Sequence, residues 1–108
     1  MLDFFKNLLG TGHELNVEEL LSKGAVIIDV RTETEFRAGH IEGSINIPLN
    51  KLSKNISKLK KNKPIITCCE SGIRSSTAKN ILINSGFADV YNGGSLWRLR
   101  QKLNRGTF

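Results

Sequence analysis

Short apolar runs alternate with helical stretches along this chain. The run from Ala25 to Val30 is interrupted only by Asp29, and a second run covers Pro64 to Cys68, as expected of parallel strands buried on both faces. Ile45–Ile47 and Val90–Tyr91 predict two shorter strands. Strands that alternate with helices through short joins favour right-handed crossovers onto one mostly parallel sheet of about five strands, with helices on both faces. The predicted fold class is therefore α/β.

The predicted helices have recognisable start and stop signals. Asn16 precedes Glu19 by three residues, which predicts an N-cap, and Thr32 with Glu35 predicts a capping box. Glycines just past a helical stretch predict helix ends, at Gly24, near Gly39 and at Gly86. Further helices are predicted in the lysine-rich stretch 51–63, from 75 to 85 and from 96 to 103.

One domain accounts for most of the length. A chain of 108 residues with 39% hydrophobic residues can bury one modest core without a disulfide or metal to stabilise it. We assign residues 13–108 to this domain and residues 1–12 to an N-terminal extension or short helix. The opening stretch 1–9 contains both an acid and a base and is too short to span a bilayer, so it predicts a docking helix rather than a signal peptide.

The formal net charge of +6 raises the question of an acidic partner. The densest basic stretch, 51–63, has six lysines interleaved with Leu52, Ile56 and Leu59, which is typical of an amphipathic segment with a solvated face. Aromatic residues do not alternate with the basic ones, which argues against a nucleic-acid partner. The charge instead predicts a field that attracts small anions.

The two cysteines of the chain are adjacent, which excludes a disulfide framework. Neighbouring strand residues point to opposite faces, so Cys68 and Cys69 are not expected to share a metal. Cys68 is expected in the core, with a redox role through Cys69 as the alternative. Reduced thiols favour a cytoplasmic location.

The turn after Cys68 is where we expect a site, because parallel sheets bind ligands beyond the carboxyl ends of their strands. Gly72 lets the backbone curl so that successive amides form an anion-binding nest. The helix that follows adds its positive end, and Arg74 adds a full charge. These features favour a thiolate and predict Cys69 as a nucleophile at neutral pH. The residues expected to line the substrate site are Glu70, Ser71, Gly72, Ile73, Arg74 and Ser75, with Glu70 pointing outward.

Three blocks of sequence resemble the rhodanese-like domain family, over about residues 15–103. The first block is Ile28-Asp29-Val30-Arg31, continued by Glu35-Phe36, Gly39-His40-Ile41, Gly43-Ser44 and Asn46-Ile47-Pro48. The second is the loop from Cys69 to Ser75, and the third is Asn92-Gly93-Gly94. All three in order make a specific match. Trp97 departs from the family pattern, since family members tend to have this tryptophan one residue farther along.

The resemblance implies a sulfurtransferase that carries sulfur as a persulfide on Cys69. A small anionic donor such as thiosulfate would give up its outer sulfur, and cyanide, a thiol or an acceptor protein would remove it. No metal or organic cofactor is implied, and we expect a monomer. Asp29, Glu35 and His40 would support the site, and the guanidinium of Arg31 would help to hold the donor. A thiolate that the loop already stabilises needs no general base, which argues against that role for His40.

Two other functions remain as alternatives. The first is a phosphatase or arsenate reductase. The loop from Cys69 to Arg74 has six residues, the length that the family resemblance associates with sulfur transfer, whereas relatives that handle phosphate or arsenate have one residue more. A phosphatase would also need an acid for its leaving group, for which Glu70 is the candidate. A sulfur-relay or regulatory module without turnover is the other alternative, although such domains commonly lack the loop cysteine.

Overall fold

The computed structural model describes residues 15–105, so the predicted extension at 1–12 lies outside the described residues. The helices are α1 (Val17–Ser22), α2 (Glu33–Ala38), α3 (Leu49–Asn55), α4 (Ile73–Asn84) and α5 (Leu96–Arg105), with one 3₁₀ turn at Ile56–Lys58. The strands are β1 (Val26–Asp29), β2 (Ile45–Asn46), β3 (Ile65–Cys69) and β4 (Val90–Ser95).

The strands form one parallel sheet in the order β2-β1-β3-β4. This confirms the predicted α/β class and the parallel pairing, with four strands among residues 15–105 where about five were expected. Each crossover places a helix between parallel strands, as the short joins required. The carboxyl ends of β1 and β3 lie side by side, since Asp29 pairs with Cys68.

The register between β3 and β4 shifts at the end of the sheet. Thr67 pairs with Asn92 and Cys69 with Ser95, so β4 contains one residue more than β3 over this interval. A Cβ on Gly93 would lie 2.8 Å from the carbonyl oxygen of Thr67, and Gly94 has a φ of +74°. Glycine is therefore required where this bulge brings β4 against the end of β3.

Helices cover both faces of the sheet. One face contains Ile28, Ile65 and Cys69, and α3 and α4 pack on it through Leu52 and Leu82. The opposite face contains a second cluster from β1, β3, α1, α5 and the loop between α2 and β2: Val17, Leu20, Ile27, Ile41, Ile66, Cys68, Leu96 and Leu99. The alternation along β3 sends the two cysteine side chains to opposite faces, as predicted.

Several predicted boundaries differ from the observed ones. Helix α4 begins at Ile73, two residues before the predicted start, and β3 extends through Cys69. The lysine-rich stretch 51–63 is helical only to Lys58, because Leu59 is extended at φ −97° and ψ 143°. Its amphipathic character is confirmed, since Leu52 is buried and the six lysines are exposed. No helix within the described part of the chain is long and apolar enough to cross a membrane.

Candidate active site

The loop that follows β3 is shaped by one glycine. Gly72 is the N-cap of α4 and has a φ of +100°, in the left-handed region that a side chain disfavours. Three residues, Glu70, Ser71 and Gly72, therefore suffice to turn the chain from the end of β3 into α4. The first amides of α4 have no partner within the helix and face the end of the strand.

The Sγ atom of Cys69 accepts these amide hydrogens. The amide of Gly72 donates to Sγ at 3.0 Å and the amide of Ser75 at 3.3 Å. The Ser75 hydroxyl lies 3.4 Å from the same sulfur. We call these donors, together with the amide of Ser71, the sulfur cradle. It is a set of neutral dipoles directed at one buried atom.

The cradle determines the ionisation of Cys69. Burial by itself would raise the pKa of the thiol, but the Ser75 hydroxyl and the amides of Ser75, Gly72 and Ser71 outweigh it. The pKa of Cys69 consequently lies below its usual value. The prediction of a nest of amides describes this geometry, and such an environment is typical of nucleophilic cysteines.

The Ser75 hydroxyl has more than one acceptor within reach. Its Oγ lies 2.6 Å from Oδ1 of Asn92, on β4, and the amide of Gly94 donates to the same Oδ1 at 2.9 Å. A single hydroxyl hydrogen serves one acceptor at a time. With a neutral thiol it can point to Asn92, whereas a thiolate draws it to Sγ. Asn92 belongs to the third sequence block, but its contact with Ser75 was not predicted.

Arg74 does not direct its charge at the sulfur alone. Its Nη1 and Nη2 atoms donate to the Glu35 carboxylate at 2.7 and 2.9 Å, a bidentate pair between α4 and α2. The Arg74 guanidinium lowers the pKa of Glu35 to about 2, with help from the backbone of Thr32 in the capping box. The Arg74 charge was predicted to stabilise the Cys69 thiolate, but Glu35 compensates much of it.

Asp29 and Arg31 form a second, buried ion pair. The Arg31 guanidinium donates to the Asp29 carboxylate through Nε at 3.0 Å and through Nη2 at 2.8 Å, and both side chains are almost fully buried. Nη2 also donates to the carbonyl of Gly39 at 2.6 Å. The partner expected for buried Asp29 is thus Arg31. The role of Arg31 in holding a donor stays a prediction, because these contacts are all to the protein.

The outer edge of the loop is held by α5. Glu70 is exposed, and Nε1 of Trp97 donates to its carboxylate at 2.7 Å. Trp97 therefore lies at the rim of the loop, where it is 46% exposed. No sequence signal linked these two residues. Ile73, beside the loop, is 74% exposed.

Among the described residues, the side-chain contacts of His40 are with Phe36, and none of them is with the sulfur cradle. Its ring stacks on Phe36 at 3.7 Å between centroids, and its Nδ1 lies 2.7 Å from the Phe36 carbonyl. The hydrogen on Nδ1 is assigned from this contact. Within residues 15–105 no three His, Cys, Asp or Glu side chains are grouped so that they could hold a metal ion.

Comparisons with known proteins identify the family of this chain. Residues 15–95 match the family described as Rhodanese-like domain. The thiosulfate sulfurtransferase GlpE of Pseudomonas savastanoi pv. phaseolicola is 34% identical over 84 residues, which cover 75% of this chain and 79% of that protein. The Bacillus subtilis protein YqhL is 38% identical over 68 residues, and the match spans only 54% of its length. The solved structure of a "rhodanese with anions from E. coli" superposes with a TM-score of 0.64 at 35% identity, covering 68% of this chain and 88% of that one.

Trp97 lies outside the matched stretch. The rest of the site lies within it: the sulfur cradle, the two ion pairs and the third sequence block, Asn92-Gly93-Gly94. The family and its sulfurtransferase relatives support a sulfurtransferase as the class of enzyme. On the extent of this match, the chain belongs to the rhodanese-like domain family.

Proposed function

We propose that this protein transfers sulfane sulfur from thiosulfate to a thiophilic acceptor through a persulfide on Cys69. The observation that carries the proposal is the sulfur cradle, in which amides of Gly72 and Ser75 donate to a buried Sγ. A cradle that stabilises a thiolate also suits the terminal sulfur of a persulfide, because preorganised donors stabilise negative charge without reorganisation. The GlpE relatives, named thiosulfate sulfurtransferases, support the choice of donor.

In the first step the Cys69 thiolate attacks the outer sulfur of thiosulfate. A bond forms between Sγ and that sulfur, the sulfur–sulfur bond of thiosulfate breaks, and sulfite leaves with the electron pair. In the second step an acceptor nucleophile, cyanide in an assay or a thiol, takes the outer sulfur and returns Cys69 to the thiolate. The residues from Glu70 to Ser75 would line the donor site, with Asp29, Glu35 and His40 as structural support. This chemistry calls for no metal or organic cofactor.

The wider setting of the enzyme is also part of the proposal. We propose a single domain, residues 13–108, that acts as a monomer. We place it in the cytoplasm, since both cysteines are unpaired thiols. The 51–63 stretch has no aromatic residue among its exposed lysines, which argues against a nucleic-acid partner.

Intact mass spectrometry after incubation with thiosulfate tests the proposal. The wild-type protein should gain the mass of one sulfur atom, and Cys69→Ser should gain none. Cys68→Ala is the matched control, because it removes the neighbouring thiol and leaves the cradle in place, so the adduct should form as in the wild type.

Each alternative function has its own outcome in this test. A wild-type protein without an adduct would count against sulfur transfer. Hydrolysis of p-nitrophenyl phosphate that depends on Cys69 would point to phosphatase chemistry. An adduct that forms but that neither cyanide nor any thiol removes would favour a sulfur-relay module over an enzyme with turnover.

A further inference from the structure

A groove runs along the carboxyl end of β4 and one side of α5. We call it the β4–α5 groove, and its volume is about 720 Å³, within the size range of small-molecule sites. The residues that line it are Ser71, Asn92, Gly93, Gly94, Ser95, Arg98, Gln101 and Lys102. All of the side chains among them are polar or positively charged, so the groove suits a hydrophilic ligand.

The charge in this groove is uncompensated among the described residues. Arg98 and Lys102 stand one helical turn apart on α5, and neither forms an ion pair with an acid of the described chain. The two arginines near Cys69 differ, because Arg31 is bound to Asp29 and Arg74 to Glu35. The charges of Arg98 and Lys102 are therefore available in the groove, where they favour anions.

The groove adjoins the sulfur cradle. Ser71 lines the groove and contributes its amide to the cradle. Asn92 also lines the groove, and its Oδ1 lies 2.6 Å from Oγ of Ser75. A Cβ on Gly72 would lie 3.4 Å from the Cα of Gly94, so cradle and groove meet where two glycines face each other. A ligand in the groove would thus contact Ser71 and Asn92, the first of which belongs to the sulfur cradle and the second of which contacts it through Ser75.

We propose that the β4–α5 groove binds the sulfur acceptor, and that this acceptor is a small thiol carrying carboxylate or phosphate groups. The inference rests on the proposed function. The acceptor thiol would pass its proton to the outer sulfur of the persulfide anion, and its thiolate would then attack that sulfur while Arg98 and Lys102 hold the anionic groups. The bond from that sulfur to Sγ then breaks, Cys69 leaves as a thiolate, and the acceptor departs as a persulfide. The sulfur cradle stabilises the leaving thiolate.

Acceptor selectivity can be measured in single turnovers of protein already converted to the persulfide. Mercaptosuccinate, mercaptoacetate, mercaptoethanol and cysteamine form a series from dianion to cation, and each rate constant is expressed per thiolate. Differences in intrinsic reactivity cancel when one ratio, mercaptosuccinate over mercaptoethanol, is compared between proteins. Two ion contacts predict that this ratio falls about tenfold in Arg98→Gln/Lys102→Gln, and that added salt lowers it in the wild type.

Lys54→Gln/Lys58→Gln is the matched control, since it removes the same charge from exposed positions of the lysine-rich stretch. Its selectivity ratio should equal that of the wild type. An equal loss in this control would overturn the groove in favour of the general field of the protein, and an unchanged ratio in Arg98→Gln/Lys102→Gln would overturn it outright. The mass of the persulfide is recorded first in every protein. A missing adduct contradicts the proposed function. A normal adduct, with the same selectivity ratio in Arg98→Gln/Lys102→Gln as in the wild type, contradicts only the proposal that the groove binds the acceptor.

Discussion

Cys68 and Cys69 are neighbours on one strand, and both side chains are fully buried, yet they differ in acidity. Burial raises the pKa of Cys68 to about 12, with a further contribution from the charge of Asp29. Cys69 is equally inaccessible, but hydrogen-bond donors lower its pKa below the usual value. The comparison separates burial from hydrogen bonding, because burial raises the pKa of both thiols whereas hydrogen bonds lower the pKa of Cys69 alone.

The origin of the difference is the alternation of side chains along β3. Cys68 faces the cluster formed with α1 and α5, where Ile66 and Leu96 surround it. Cys69 faces the start of α4, whose first amides have no partners within the helix. Reactivity here depends on which face of the sheet a thiol occupies.

The largest expected effect is a separation of the two titrations. The ultraviolet absorbance of the thiolate is followed with pH in Cys68→Ala, which retains only Cys69, and in Cys69→Ala, which retains only Cys68. Cys69 should ionise below the ordinary pH of a thiol, while Cys68 should show no thiolate over the pH range in which the protein stays folded. Coincident titrations would mean that the cradle does not distinguish the two thiols.

Ser75→Ala tests the largest favourable contribution to the Cys69 thiolate. The hydroxyl at 3.4 Å from Sγ is lost, while Oδ1 of Asn92 keeps its bond from the Gly94 amide. A hydrogen bond to a charged group contributes about 1.5–3 kcal/mol, so alkylation of Cys69 by iodoacetamide at neutral pH should slow by about tenfold or more. The midpoint of the alkylation rate against pH, which reports the pKa of Cys69, should rise.

Ser76→Ala, on the exposed side of α4, is the control and should alkylate at the wild-type rate. If Ser75→Ala kept the wild-type midpoint, the backbone amides alone would account for the acidity of Cys69.

The sequence predicted the thiolate because its causes are local. Gly72 and the helix start follow Cys69 directly, so the nest could be anticipated, while the alternation of apolar runs and helical stretches indicated the fold class. The partners of the loop could not, because they lie far away in the chain: Arg74 meets Glu35 across 39 positions and Trp97 meets Glu70 across 27. Such pairs depend on strand order and on where α2 and α5 are packed. Arg74 was therefore correctly placed in the loop, but the compensation of its charge by Glu35 was missed.

Charge should have a smaller influence on Cys69 than the hydroxyl. Arg74→Ala should raise the pKa of Cys69 and slow its alkylation at neutral pH by about threefold, because Glu35 already compensates much of the charge. Glu35→Gln should act in the opposite direction, since it leaves the Arg74 charge uncompensated. Alkylation profiles over pH measure both. Changes of the same sign in the two variants would indicate a disturbed loop rather than an effect of charge.

The smallest expected effect concerns stability rather than reactivity. The Arg74–Glu35 side chains are 35% and 33% exposed, so solvent screening limits their pair to about 1 kcal/mol of unfolding free energy. Because the folded pKa of Glu35 is lowered from 4.5 to about 2, this stabilisation is full above pH 4.5 and is lost as the pH falls through about 2. Urea unfolding at several pH values should show wild type and Arg74→Ala converging in acid. Arg37→Ala, which removes the more exposed pair with Glu33, should lose less at neutral pH. A difference between wild type and Arg74→Ala that persists undiminished in acid would assign the stabilisation to packing of the arginine side chain instead of its charge.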